Sequence, residues 1–237
     1  MNKLTAILLS ATLVSSLAAC GSNNQQNNDQ QNSSQSTAKN TVAKTTVGAS
    51  KEQLDGNILI AYFSVMETDG MDTVSGASRV AVNGTVLGNN EYIAQIIQRE
   101  TGGDLFAIKT VQEYPTTHDP LLEFAYNEKA DNARPELATQ IENIDNYDVI
   151  FLGYPNWNAD LPMPLYTFLE EYDFSGKTII PFITHGGSGF SRTIQTISDL
   201  QPNATVLSDG LSISRNNVAG AESDVVAWVK GLNLSIQ

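Results

Sequence analysis

The sequence predicts an α/β fold: a three-layer, doubly wound sheet of five parallel strands, with an insertion after the first strand. Three observations predict it. Short apolar runs recur five times after residue 56, as buried strands do. Stretches with apolar residues at helical spacing separate them, and alternation of strand and helix favours right-handed crossovers and a parallel sheet covered on both faces. The segment Val65 to Leu87 interrupts that rhythm with a pattern of its own.

The first strand is Ile58-Leu59-Ile60-Ala61-Tyr62-Phe63, ending in Ser64. In the excursion that follows, Arg79-Val80-Ala81-Val82-Asn83-Gly84-Thr85-Val86 places Asn-Gly between alternating apolar residues, the signal of a two-residue hairpin. Ile93, Ile96 and Ile97 then mark one face of a helix. Further strands are expected at Leu105 to Ile108, Val149 to Leu152, Ile179 to Ile183 and Val206 to Ile213. Helical stripes lie at Leu165, Phe168, Leu169 and Tyr172, at Ile194, Ile197 and Leu200, and at Val225, Val226 and Val229. Pro181 sits badly in a strand interior because it removes a ladder donor. The connection Tyr114 to Asn143 holds Pro115, Pro120 and Pro135 and is expected to carry only short helices.

Composition narrows the function classes. The 237 residues include 13 Lys and Arg against 26 Asp and Glu, for a formal charge of −13, with one Cys and two His. A lone cysteine with His118 and His185 cannot build a Cys-rich or His-rich zinc site, a thiol pair or a disulfide framework. So acidic a chain repels nucleic-acid phosphates, and 41% hydrophobic residues suffice for an ordinary core. Residues 57 to 237 hold 9 basic and 23 acidic side chains, a net −14, so this domain will not adhere electrostatically to anionic lipid.

The chain before residue 57 reads as two pieces. Lys3 precedes an apolar and small-residue run from Ala6 to Ala19, shorter than the roughly 20 residues of a membrane span, so residues 1 to 19 are expected to be a signal peptide. That run ends in Leu17-Ala18-Ala19-Cys20-Gly21, which resembles the bacterial lipobox, where the cysteine is acylated and becomes the first residue after cleavage. Cys20 is thus the expected lipidation site, placing the protein on the outer side of a bacterial membrane. Ten of the fifteen residues 21 to 35 are Asn or Gln, and Ser, Thr and Ala follow without periodicity. Residues 20 to 56 are expected to be a flexible tether with an r.m.s. span of about 30 to 35 Å.

Ligands of open parallel sheets bind beyond the carboxyl ends of the strands. Three loops fall there: Ser64 onward, Gly153-Tyr154-Pro155-Asn156-Trp157-Asn158-Ala159-Asp160, and Thr184-His185-Gly186-Gly187-Ser188-Gly189-Phe190. Together with Leu161-Pro162-Met163-Pro164 and Tyr172-Asp173-Phe174-Ser175-Gly176-Lys177-Thr178, these motifs, in this order, make residues 57 to 237 resemble a flavodoxin-like family. The resemblance implies the strand order 2-1-3-4-5 and noncovalent binding of FMN.

The residues themselves suit such a ligand. A phosphate monoester can be held by amides and hydroxyls at a helix N-terminus without Arg or Lys. Ser64 with Gly88, Asn89 and Asn90, just ahead of the Ile93 helix, can form that cradle, and Val65, Met66 and Thr68 are further candidates on the same loop. Gly88-Asn89-Asn90 taken alone also reads as a turn with a helix cap. Trp157, with Pro155, Asn156 and Asn158 around it, offers stacking area for a flat ring, although a tryptophan taken alone is more often a core residue. The commoner family pattern is two tryptophans followed by glycine; here Ala159 stands at the glycine position, where a positive φ is costlier. Gly186, Gly187 and Gly189 allow close backbone approach, while Thr184, His185 and Ser188 offer hydrogen bonds. His118 reads as a structural or rim residue.

The expected function is therefore an FMN-binding redox protein that transfers electrons to an unidentified partner or reduces a small acceptor such as a quinone. The flavin carries the chemistry, and no catalytic side chain or metal ligand is assigned. A secreted serine hydrolase using Ser188 and His185 is one alternative, although Gly186-Gly187-Ser188-Gly189-Phe190 lacks the last glycine of a nucleophile elbow. A lipid-anchored binding module without a cofactor is the other.

Overall fold

A computed structural model describes residues 53–68 and 78–234. The expected signal peptide, Cys20 and most of the expected tether lie outside the described residues, as does part of the excursion after Ser64. Among the described residues, no helix is long and apolar enough to cross a membrane.

The sheet begins with β1 (Ile58–Tyr62), followed by the antiparallel hairpin of β2 (Arg79–Val82) and β3 (Thr85–Gly88). Its turn is Asn83-Gly84, with φ of 52° and 80°, as a two-residue hairpin turn requires. Then come α1 (Asn89–Thr101), β4 (Asp104–Ala107), α2 (His118–Ala130), β5 (Val149–Pro155), α3 (Met163–Glu171), β6 (Thr178–His185), α4 (Thr193–Leu200), β7 (Thr205–Val206), β8 (Leu211–Ser214) and α5 (Glu222–Gly231). Every pairing in the main sheet is parallel, in the order β4-β1-β5-β6-β7, with β8 also beside β6. The hairpin stands apart as its own two-stranded sheet.

Both faces of the main sheet are covered, because successive side chains of the central strands point to opposite sides. Ile60, Phe151 and Phe182 pack with Ile93, Ile97, Val225 and Val229 of α1 and α5. Leu59, Ile150 and Leu152 pack on the other face with Leu165, Phe168 and Ile197 of α3 and α4. Each such side chain is 2% exposed or less, and full burial of one is worth about 1.5–3 kcal/mol. Leu54, ahead of β1, bridges Leu234 and packs against the first of these clusters.

Two expectations are corrected. The connection after Tyr114 contains a helix of 13 residues, not only short pieces. Its Pro120 lies in the first turn, where the missing N–H would have had no intrahelical partner, while Pro115 and Pro135 fall outside the helix. The run Val206 to Ile213 is not one strand: β7 pairs with Thr178 and Ile179, and β8 with Phe182 to His185. Pro181 faces this break. Leu207 donates to the Ile179 carbonyl, so alternation turns residue 181 to the same side, where neither β7 nor β8 needs its missing N–H.

Gly153 on β5 lies against the Phe182 ring, which a Cβ there would approach to 2.1 Å. Gly153→Ala is expected to destabilise the domain by about 1–3 kcal/mol through overpacking; chemical denaturation followed by circular dichroism measures it.

Candidate functional site

The carboxyl ends of β1, β5 and β6 lie side by side, since β1 pairs with β5 up to Gly153 and β5 with β6 up to Thr184. The hairpin returns the chain to that edge. Gly88, at its end, approaches Ser64 so closely that a Cβ would stand 2.2 Å from Ser64 Oγ. The first loop and the start of α1 are therefore joined across the excursion. Gly88 is the N-cap of α1, and its N–H is accepted by Glu91 Oε2 at 3.3 Å.

Asn89 and Asn90 are both 1% exposed. Asn89 donates its backbone N–H to the Ser78 carbonyl at 3.0 Å. Asn90 Nδ2 donates to Thr184 Oγ1 at 3.1 Å, which ties the head of α1 to the end of β6. The Oδ1 atoms of Asn90 and Asn156 are buried without a partner among the described residues. Such acceptors are costly unless something donates to them.

Beside this cradle is a cleft of about 320 Å³. One wall is Pro155 to Ala159, following β5, and another is Thr184 to Ser188, following β6. Leu121, Leu122 and Ala125 of α2 form a third, and Glu67, Ser78, His118 and Arg215 complete the lining. Gly189 lies just behind, its carbonyl accepting Asn156 Nδ2 at 2.6 Å. Of the remaining expected contacts, Val65 packs against the core and Met66 is exposed. Thr68 is fastened to Thr116 through its N–H and its hydroxyl, so its donors are already engaged.

Trp157 is neither a buried core residue nor a free one. Its ring meets Phe63 edge-on at 5.5 Å and lies tilted to Tyr114 at 5.8 Å. Those two rings fix the indole at the cleft wall. The turn that carries it is held by reciprocal bonds, Trp157 N–H to the Asp160 carbonyl at 3.2 Å and Asp160 N–H to the Trp157 carbonyl at 2.9 Å. Both central residues have positive φ, 52° at Asn158 and 59° at Ala159. For alanine that region costs roughly 1–2 kcal/mol. Lys129 at the end of α2 clamps the turn, donating to the Asn158 carbonyl at 2.8 Å and pairing with Asp160 at 3.1 Å.

His185 Nδ1 accepts the Gly187 N–H at 2.9 Å, so in the neutral ring Nε2 carries the proton. Burial holds its pKa below the ordinary histidine value. Among the described residues Ser188 has no hydrogen bond to His185, and the nitrogen that would be its base is engaged by Gly187; the geometry is not that of a nucleophile and base. His118 lies on the cleft rim with Nδ1 2.8 Å from the buried Glu67 carboxylate. Tyr114 donates to Glu128 at 2.7 Å beneath Trp157, and burial raises both the Glu128 carboxyl and the Tyr114 hydroxyl above their usual values. Tyr154 is fully buried, bonded to Thr193.

Five contributors were not among the expected residues: Glu67, Ser78, the α2 wall, Lys129 and Arg215. Arg215 had a usable signal, since it follows the last strand at the same carboxyl edge. Ala159→Gly is expected to raise stability by about 0.5–1 kcal/mol, the relief of positive φ less the added freedom of the unfolded chain; paired urea denaturation curves check it.

Comparison with known proteins agrees with this architecture. A family model described as flavodoxin matches residues 78–232. A flavoprotein structure from Bacteroides uniformis is similar at 26% identity and a TM-score of 0.56, covering 74% of this chain and 99% of its own. One from Bacteroides eggerthii is similar at 26% identity and a TM-score of 0.54, covering 74% and 97%. A flavodoxin of a Nostoc species is 24% identical over 116 residues, 47% of this chain and 54% of its own length, so the chain spans about half of that relative. With a parallel sheet wound on both faces and the family's motifs at its carboxyl edge, the chain belongs to the flavodoxin family.

Proposed function

We propose that this chain binds FMN and serves as a redox protein, passing electrons to a partner or reducing a small acceptor such as a quinone. The observation that carries the reading is the meeting of Ser64, Gly88, Asn90 and Thr184 at one edge, where a side chain at Gly88 would fill the space. Family membership supports the same ligand.

The fit is specific to the residues present. Ser64 Oγ and the first-turn amides of α1 would hold the phosphate, the helix dipole supplying partial positive charge. Asn90 Oδ1 and Asn156 Oδ1, buried without partners among the described residues, would accept from the ligand's hydroxyl or imide donors. The Trp157 indole, held edge-on by Phe63, offers a flat apolar face at the wall. His185, with its proton on Nε2, and the amides of Gly186 and Ser188 present donors on the opposite wall, the Gly187 N–H being engaged by His185 Nδ1. When bound, FMN supplies reversible one- and two-electron transfer. The apolar α2 side chains Leu121, Leu122 and Ala125 narrow the cleft and exclude water from one side.

The setting of this activity is part of the proposal. Acylation of Cys20 would hold the domain on the outer face of the bacterial cytoplasmic membrane, with residues 20 to 56 as the spacer. The net −14 of residues 57 to 237 gives no attraction to anionic lipid, which leaves the anchor as the means of attachment.

Purified chain is expected to carry, or take up, a yellow chromophore with the absorption of bound flavin. Ser64→Ala removes a hydroxyl donor to a charged group, worth about 1.5–3 kcal/mol, and Trp157→Ala removes stacking worth about 1–3 kcal/mol. Each is expected to weaken FMN at least about fivefold in a fluorescence titration. Unchanged affinity in both variants contradicts the assignment.

A further inference from the structure

The break in the fifth strand position places a cation in the cleft. β8 runs alongside the last four residues of β6, with Ser214 opposite His185. The next residue, Arg215, opens a 3-10 turn, Arg215–Gly220. It lines the cleft as the one Lys or Arg side chain to do so among the described residues. A Cβ on Gly186 would stand 3.7 Å from Arg215 Cζ, so the guanidinium lies along side-chain-free backbone.

Partial burial together with the lack of a partner sets this arginine apart. It is half-buried, and among the described residues it has no hydrogen bond or ion pair. Arg99, Lys129, Arg134 and Lys230 have carboxylate partners, Arg79 and Lys177 donate to carbonyls, and Lys109 and Arg192 are exposed and away from the cleft lining. Glu67, the one carboxylate on the cleft lining among the described residues, is bonded to His118. The turn that Arg215 opens packs against β2 and α1, with Val218 in the same cluster as Val80 and Ile93. That is the side of the cleft where Ser78 receives the Asn89 N–H and Asn90 reaches Thr184.

We infer that Arg215 is an anion receptor that pairs with the phosphate of the bound nucleotide, and so selects FMN over riboflavin. The inference rests on the FMN reading and deepens it. A phosphate dianion approaching a domain of net −14 is opposed by the field of the whole protein. Amides and a serine hydroxyl supply direction but no full charge. A guanidinium with no carboxylate partner among the described residues supplies that charge, and its planar fork suits phosphate oxygens.

The test titrates the full chain with FMN and with riboflavin, following flavin fluorescence, for the natural sequence, Arg215→Gln and Arg215→Lys. Arg215→Gln is expected to weaken FMN at least about tenfold while riboflavin stays within about twofold, with Arg215→Lys between. Inorganic phosphate is expected to compete with FMN and not with riboflavin in the natural sequence. Equal loss of both flavins in Arg215→Gln would make the residue structural and overturn the inference. So would unchanged binding of both with slower reduction of an acidic acceptor, which would assign the guanidinium to the acceptor. If the natural sequence binds neither flavin, the FMN reading itself fails, and this inference with it.

Discussion

The contact between Gly88 and Ser64 is the constraint on which the site depends. Family members without an excursion join the first strand to the first helix by one short loop. Here the excursion of residues 65 to 87 intervenes, and the chain must come back to the place it left. The hairpin provides the return: its Asn-Gly turn reverses the chain within two residues, and β3 ends at Gly88. Because Gly88 has no side chain, the head of α1 closes onto Ser64. Asn90 then reaches Thr184, and the ends of β1 and β6 share one polar cradle.

The packed core makes that cradle rigid, and the irregularities sit at its rim. Apolar layers on both faces hold β1, β5 and β6 in register as far as their carboxyl ends. Beyond that point the backbone departs from regular structure in two places. At Asn158 and Ala159 it adopts left-handed conformations, stabilised by Lys129 from a neighbouring helix. After β7 it breaks and resumes as β8, which carries Arg215 to the cleft. Local strain of this kind persists where surrounding structure over-determines it, and it gathers at binding sites.

Much of the fold was legible because burial on both faces leaves its mark as continuous apolar runs. Ile58 to Phe63 and Ile179 to Ile183 announce themselves in this way, and Asn83-Gly84 states its own turn. The helix over His118–Ala130 was hidden by Pro120, since local pattern does not say whether a proline falls in a first turn or an interior. The divided fifth position was hidden because Val206 and Ile213 both face apolar neighbours, whichever strand carries them. For the site, glycine-rich loops and Trp157 could be found in one dimension. Lys129 and Arg215 could not be placed so readily: each stands beside a segment distant in sequence, Lys129 bonded to the Asn158 carbonyl and Arg215 lying along Gly186.

The most direct measurement is a titration of the full chain with FMN, for the natural sequence and for Gly88→Ala, with circular dichroism to follow the fold. Gly88 has ordinary negative φ, −65°, so alanine is admissible for the backbone and conflicts only with Ser64. The account predicts saturable one-to-one binding by the natural chain, and its loss in an alanine variant that keeps its secondary structure. Saturable binding of equal strength in both, or none in the natural chain, would contradict it.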